Sequence, residues 1–272
     1  MRTFHVFFVK ATFISALLIV SVNVIAQEIR RAVPGEIETY IDRFSIGRVS
    51  KNQNGWAHYY IPKGMGDTLT VKMSCVFIGK QTHAPHTHHE DEAFFVIKGP
   101  VIFHINGEER IMKTGDFAYT PSGTYHNIQR TNETDTVKYL VMKRETVRAV
   151  EKPYITGRAY TLDDCYFFLT NHPEWNRNKE AASITLLDKK FAAGLHIVIE
   201  RVTNNNKVFR HQNPNDQRQI AIYVMQGEAE VTLNGQRAKI GADNTFFCPK
   251  KSTYSLQKRG NEPLVFLAIT TE

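Results

Sequence analysis

Beyond the first fifty residues the chain alternates short apolar runs with turn residues. Runs over 69–78, 93–97, 101–105, 137–142, 194–199, 220–225, 230–233 and 264–269 are rich in Val, Ile, Phe, Tyr and Thr, the types that suit a pleated, half-buried backbone. Helical periodicity is weak, and only 37–44 and 163–169 hold enough of it to suggest short helical pieces. Many short strands separated by regular turns predict an all-β barrel or sandwich.

The pattern occurs twice. Gly99, Asn106-Gly107 and Pro121 recur as Gly227, Asn234-Gly235 and Pro249 with the same spacing. Asn-Gly between alternating apolar runs signals a tight hairpin, because a type I′ turn needs positive φ at both central residues. Two copies in one register predict two related barrels, over 27–150 and 151–272, joined near Glu151-Lys152-Pro153. The 272 residues suffice for two domains of that size, each with its own core.

Residues 1–26 read differently. Arg2 and Lys10 precede an apolar run over 11–20, and Val24-Ile25-Ala26 gives way to polar Gln27 and Glu28. This is the layout of a secretory signal cut after Ala26. The run is short for a span of about 20 residues, so no stable membrane insertion is expected after cleavage. The expected location is the periplasm or the outside of the cell. The formal net charge is +7, with basic residues scattered rather than clustered. That argues against nucleic acid as a partner, while a mildly positive surface attracts small anions. Three cysteines, Cys75, Cys165 and Cys248, allow at most one disulfide. Cys75 and Cys248 lie in apolar runs and read as small buried hydrophobes.

The stretch Pro85-His86-Thr87-His88-His89-Glu90-Asp91-Glu92 carries the chemistry. Side chains alternate along a strand, so positions 86, 88 and 92 share a face. The run that follows, Ala93 to Ile97, is apolar on both faces, which places two imidazoles and a carboxylate at the mouth of a dry interior. A second stretch, from Gly115 through Pro121 and Gly123 to His126, is folded back by the Asn106-Gly107 hairpin and can bring a third imidazole. His83 and His89 have the opposite parity and read as loop or surface residues. Glu90 shares the ligands' parity, and its plainer reading is a solvated charge. Tyr119 and Tyr125 flank His126, and either could donate a hydrogen bond to a substrate oxygen.

These two stretches resemble the two motifs of the cupin superfamily. His86, His88, Glu92 and Gly99 fit the first; Gly115, Pro121, Gly123 and His126 fit the second; Arg130 stands where the second usually ends in Asn. The resemblance implies two tandem jelly-roll β-barrels. It also implies one divalent metal ion, Fe, Mn, Ni, Cu or Zn, held by His86, His88, Glu92 and His126 with positions left for a substrate.

Applied to the second half, the same offsets place Pro214, Asp216, Ile220 and Tyr254 where the first half has His86, His88, Glu92 and His126. His211 and Asn213 form a loose His-x-Asn just upstream, which a three-residue loop slip would bring near the site. The second barrel is therefore expected to hold no metal. The pattern is similar to bicupins such as quercetin dioxygenases, with metal in one barrel. The expected function is a metal-dependent oxidoreductase of dioxygenase type, acting on a small enolisable or carboxylate-bearing molecule, with Glu92 and Tyr125 as catalytic residues. The alternatives are a cupin lyase or isomerase, and an exported non-catalytic protein that captures a carbohydrate or other small ligand. The partner is a small-molecule substrate; a homodimer is left open.

Overall fold

The computed structural model describes residues 32–131, 137–144, 154–155, 158–188, 194–213 and 216–271. The signal-like segment 1–26 and the joint at 151–153 lie outside them. The described chain is built mostly of antiparallel strands in two jelly-roll units, each made of a larger and a smaller sheet. No helix among the described residues is long and apolar enough to cross a membrane.

In the first unit the larger sheet has seven strands, in the order Tyr166–Phe168, Asp116–Thr120, Asp91–Lys98, Lys138–Arg144, Leu69–Val76, Gly55–Gly66 and Ser50–Lys51. Its smaller sheet joins Glu108–Met112, Val101–Ile105 and His126–Arg130. The second unit repeats this plan. Six strands run in the order Ile41–Arg43, Asn244–Cys248, Gln219–Gln226, Leu264–Thr271, Leu195–Val202 and Ala181–Leu187, and four form the smaller sheet, with Val208–His211 beside Tyr254–Arg259.

The hairpin expectation holds in detail. Asn106 and Asn234 both have φ of 47°, and Gly107 and Gly235 both have φ of 89°. The central strands Asp91–Lys98 and Gln219–Gln226 bury their first six residues on both faces, as the continuous apolar runs require. Cys75 and Cys248 are buried free thiols.

The two helical expectations shrink. The 37–44 piece is one 3₁₀ turn, Ile37–Tyr40, followed by the strand Ile41–Arg43. The 163–169 piece is a four-residue helix, Leu162–Cys165, followed by the strand Tyr166–Phe168. In each case an open strand edge within reach captures the backbone for a sheet, with β-branched Ile41 leading one strand and the aromatic sequence Tyr166-Phe167-Phe168 forming the other.

Those two strands cross between the units. Ile41–Arg43, which precedes the first barrel, pairs with Asn244–Cys248 of the second, Ile41 opposite Phe246. Tyr166–Phe168, which precedes the second barrel, pairs with Asp116–Thr120 of the first, Tyr166 opposite Ala118. The exchanged strand Ile41–Arg43 is fastened by Asp42, whose buried carboxylate lies 2.7 Å from Nε2 of the fully buried His58 and accepts two hydrogen bonds from Arg48 at 3.0 and 3.1 Å. Between the units Tyr60 packs edge-on against Tyr223 at 5.6 Å and donates to the Asp243 carbonyl, and Gln219 donates to Asp67. One continuous apolar core runs through both barrels.

Candidate metal centre

Four separate local decisions bring the donors together. Main-chain bonds between His86 and His126, at 3.1 and 3.2 Å, lay the two stretches side by side. The Pro121-Ser122-Gly123 turn, with Gly123 at φ 82°, turns the Gly123 N–H onto the His88 carbonyl at 2.9 Å. A residue with a Cβ is strained at that φ. Asp91 accepts from the Ser122 N–H at 2.9 Å and so ties the same turn to the strand that carries Glu92. Thr120 donates to the Glu92 carbonyl at 3.1 Å.

The result is a compact donor set. The ligating atoms of His86, His88 and His126 all lie within 4.8 Å of one another. Glu92 Oε2 lies 3.0 Å from His88 Nε2 and 2.8 Å from His126 Nε2. His126 and Glu92 are buried, and His86 and His88 are partly buried. The other nitrogens are already committed, since Nδ1 of His88 and of His126 face the main-chain carbonyls of Glu90 at 3.0 Å and Thr124 at 2.9 Å.

This arrangement fits a metal ion. A neutral imidazole has one N–H, and the carbonyl at Nδ1 takes it. Each Nε2 then points a lone pair at the Glu92 carboxylate, and lone pairs facing an anion repel unless a cation lies among them. A divalent ion in contact with Glu92 and the imidazoles resolves the conflict. Burial and the neighbouring imidazoles of His83, His126 and His88 push His86 down to about 4, so it is neutral and able to ligate at physiological pH. Burial opposes the charge on Glu92; in the metal-free protein the Nε2–H tautomers of His126 and His88 donate to it instead, and with the Lys143 ammonium 2.9 Å from Oε1 they outweigh burial and hold the carboxyl well below its ordinary range.

Beside the donors lies a cavity of about 200 Å³. Glu92, His126, His83, Lys72, Tyr59 and Tyr139 are among the residues that border it. That is smaller than the roughly 300–1,000 Å³ usual for drug-sized ligands. His83, expected at the surface, is exposed but stands edge-on against His86 with ring centroids 3.9 Å apart. Tyr119 is buried against the outer support of the site, with Asp91 as its neighbour.

Tyr125 is not brought to the site. Its side chain is 49% exposed and does not border the cavity, because the alternation that turns His126 inward turns residue 125 outward. Sequence reasoning missed Lys143 and Lys72. Lys72 alternates with apolar Val71 and Met73, a pattern that ordinarily marks a face turned to water, and Lys143 opens the charged run Lys143-Arg144-Glu145 that ends an apolar strand.

In the second barrel, main-chain pairing sets His211 opposite Tyr254, as His86 stands opposite His126. The loop slip is therefore real, and His211 takes the place of His86. Ile220 lies opposite Cys248 as Glu92 lies opposite Thr120. Pro214 lies outside the described residues. Among the described residues the His triad of the first barrel is the only cluster of three or more donors that could hold an ion.

Comparison with known proteins agrees with this reading. The cupin domain model matches residues 74–143 and 206–270, one region in each barrel. The oxalate-binding protein of Thermotoga maritima is 39% identical over 95 residues, covering 35% of this chain and 78% of that protein. An uncharacterised Aquifex aeolicus protein is 36% identical over 70 residues, which span 25% of this chain and 57% of its own length. An oxalate decarboxylase of Bacillus subtilis superposes with a TM-score of 0.65 at 17% identity, over 90% of this chain and 79% of that one. That of Lactobacillus farciminis, in complex with formate, gives 0.65 at 15% identity over 90% and 88%. The chain belongs to the cupin superfamily and is a bicupin.

Proposed function

We propose that the protein is a metal-dependent bicupin enzyme acting on a small carboxylate-bearing or enolisable molecule, exported to the periplasm or beyond. The carrying observation is the pair of Nε2 atoms, on His88 and His126, turned onto one oxygen of the buried Glu92. His86, His88, Glu92 and His126 would hold one divalent ion. Such an ion supplies Lewis acidity toward substrate oxygens and, where redox active, access to dioxygen chemistry.

The chain's own residues do the rest. The strand and turn contacts fix the imidazoles, Lys143 offsets the Glu92 charge, and the apolar walls given by Phe94 and Val141 limit water. We read the reaction as an oxidoreductase step of dioxygenase type. A second reading, carbon–carbon cleavage without net oxidation, is favoured by the small cavity with Lys72 on its wall and by structural kinship with oxalate decarboxylases, one of which is described with Mn(II) centres. A third, capture without turnover, draws on the oxalate-binding relative.

The three separate experimentally. Elemental analysis of the purified protein should find one divalent metal per chain. Oxygen uptake and carbon dioxide release are then followed on a panel of flavonols, β-diketones, 2-hydroxy acids and oxalate. Oxygen consumption supports the first reading, gas release without it the second, and binding with neither the third. A metal-free protein that cannot be reloaded removes all the metal-dependent readings.

A further inference from the structure

The first barrel holds a second cation close to its metal centre, and it differs from Lys143 in one respect. Lys143 is committed, with its ammonium 2.9 Å from Glu92 Oε1. Lys72 borders the cavity, yet among the described residues its Nζ makes no hydrogen bond and no ion pair. The Nζ lies over the face of Tyr59, 5.8 Å from the ring centroid. Burial draws its pKa below the ordinary 10.5. The carboxylates of Glu92 and Glu90 act on it only from a distance, so this partly buried ammonium on a cavity wall keeps its donors open for an anion in the cavity.

Strand register says where that anion would sit. Lys72 is opposite Val141 and Val141 is opposite Phe94, while Glu92 is opposite Lys143. Lys72 is therefore two strands across from the strand that carries Glu92, about 10 Å at the backbone. The lysine stem covers part of that distance and leaves room for a short carbon chain. A two-carbon diacid, chelated through both of its carboxylates, would leave Lys72 empty.

We propose that Lys72 is a second anchor for the substrate, so that the site takes an acid of about four to six carbons with chelating oxygens at one end and a carboxylate at the other. The chelating half of this statement rests on the metal reading above; the anchoring half does not.

Malate and 2-hydroxyvalerate share a chelating 2-hydroxy acid head, and only malate carries the distant carboxylate. Their binding to Mn(II)-loaded protein is measured by calorimetry, with Mn(II) content determined in parallel. The wild type is expected to bind malate at least ten-fold more tightly than 2-hydroxyvalerate. Lys72→Met is expected to remove that preference while leaving Mn(II) content and 2-hydroxyvalerate affinity unchanged, and Lys72→Arg to retain part of it. Equal binding of the two acids by the wild type, or an unaltered preference in Lys72→Met, overturns the proposal. Should Lys72→Met fail to fold, Lys72→Gln is read in its place. Wild-type protein that takes up none of Mn(II), Fe(II), Ni(II), Cu(II) or Zn(II) defeats the metal reading alone. Succinate, which has no chelating head, then decides the anchor: binding that Lys72→Met removes sustains it, and no binding overturns it.

Discussion

Across one bridge of the first barrel an imidazole faces an imidazole, His86 opposite His126; across the matching bridge of the second, His211 faces the ring of Tyr254. The frames are otherwise close copies, with the same Asn-Gly hairpins and equally buried central strands. The sharpest contrast is at the carboxylate. Glu92 is 5% exposed and its counterpart Ile220 is 6% exposed. Packing is served as well by the isoleucine, whereas a carboxylate at that depth costs stability unless it is compensated. The second barrel has the residue that stability alone would choose, and the first has the one that chemistry needs. A jelly-roll frame is maintained by apolar alternation, so its ligand positions are free to drift without loss of the fold.

The largest expected effect would break this contrast outright. His126→Ala should cut metal affinity at least 100-fold by removing a direct donor, while His211→Ala leaves metal content unchanged by elemental analysis. If His211→Ala also removes metal, the two barrels are not different in kind.

Next comes the exchanged strand. Asp42→Ala strands the fully buried His58 and should destabilise the protein by about 2 kcal/mol. Because Ile41–Arg43 belongs by pairing to the second barrel and His58 to the first, thermal denaturation should show one lowered transition for both barrels, not two.

A smaller loss is expected at the contact between the units. Tyr60→Phe deletes one hydrogen bond to Asp243 and should cost about 1 kcal/mol in denaturant titration, with metal content intact.

The smallest effect concerns the one acid near the second site. Hydrogen bonds from Arg218 hold Asp216 down to about 2, against an ordinary 3.8. Its folded value is depressed, so its contribution to stability is present above about pH 4 and is lost as pH falls toward 2. Arg218→Ala should raise the carboxyl toward 3.8 by NMR titration and flatten that acid loss. His211 Nε2 is only 3.1 Å from Asp216 but is not aligned for a hydrogen bond, so Arg218, not His211, governs this acid.

The donor set was legible because its spacing is local: alternation places 86, 88 and 92 together, and the hairpin supplies His126. The strand exchange was not. Ile41–Arg43 and Tyr166–Phe168 are three residues each, too short for a periodic signal, and their partners lie about 200 and 50 residues away in the chain. Lys72 was hidden for another reason. Alternation says that two faces of a strand differ, but not whether the polar one meets solvent or an internal cavity. Tyr125 was singled out for flanking His126, and adjacency along a strand places it on the opposite face, where it is 49% exposed.

The exchanged strands also dictate an order of assembly. While the polypeptide emerges from the ribosome, the first barrel lacks its edge until Tyr166–Phe168 has been made, and Ile41–Arg43 waits for Asn244–Cys248 near the far end. The first barrel can complete its edge once residue 168 is made, whereas Ile41–Arg43 finds its partner only at residue 248, so the pairing that clasps the two units together forms last. Truncation before residue 248 would therefore leave the N-terminal strand without its partner even where the first barrel is whole.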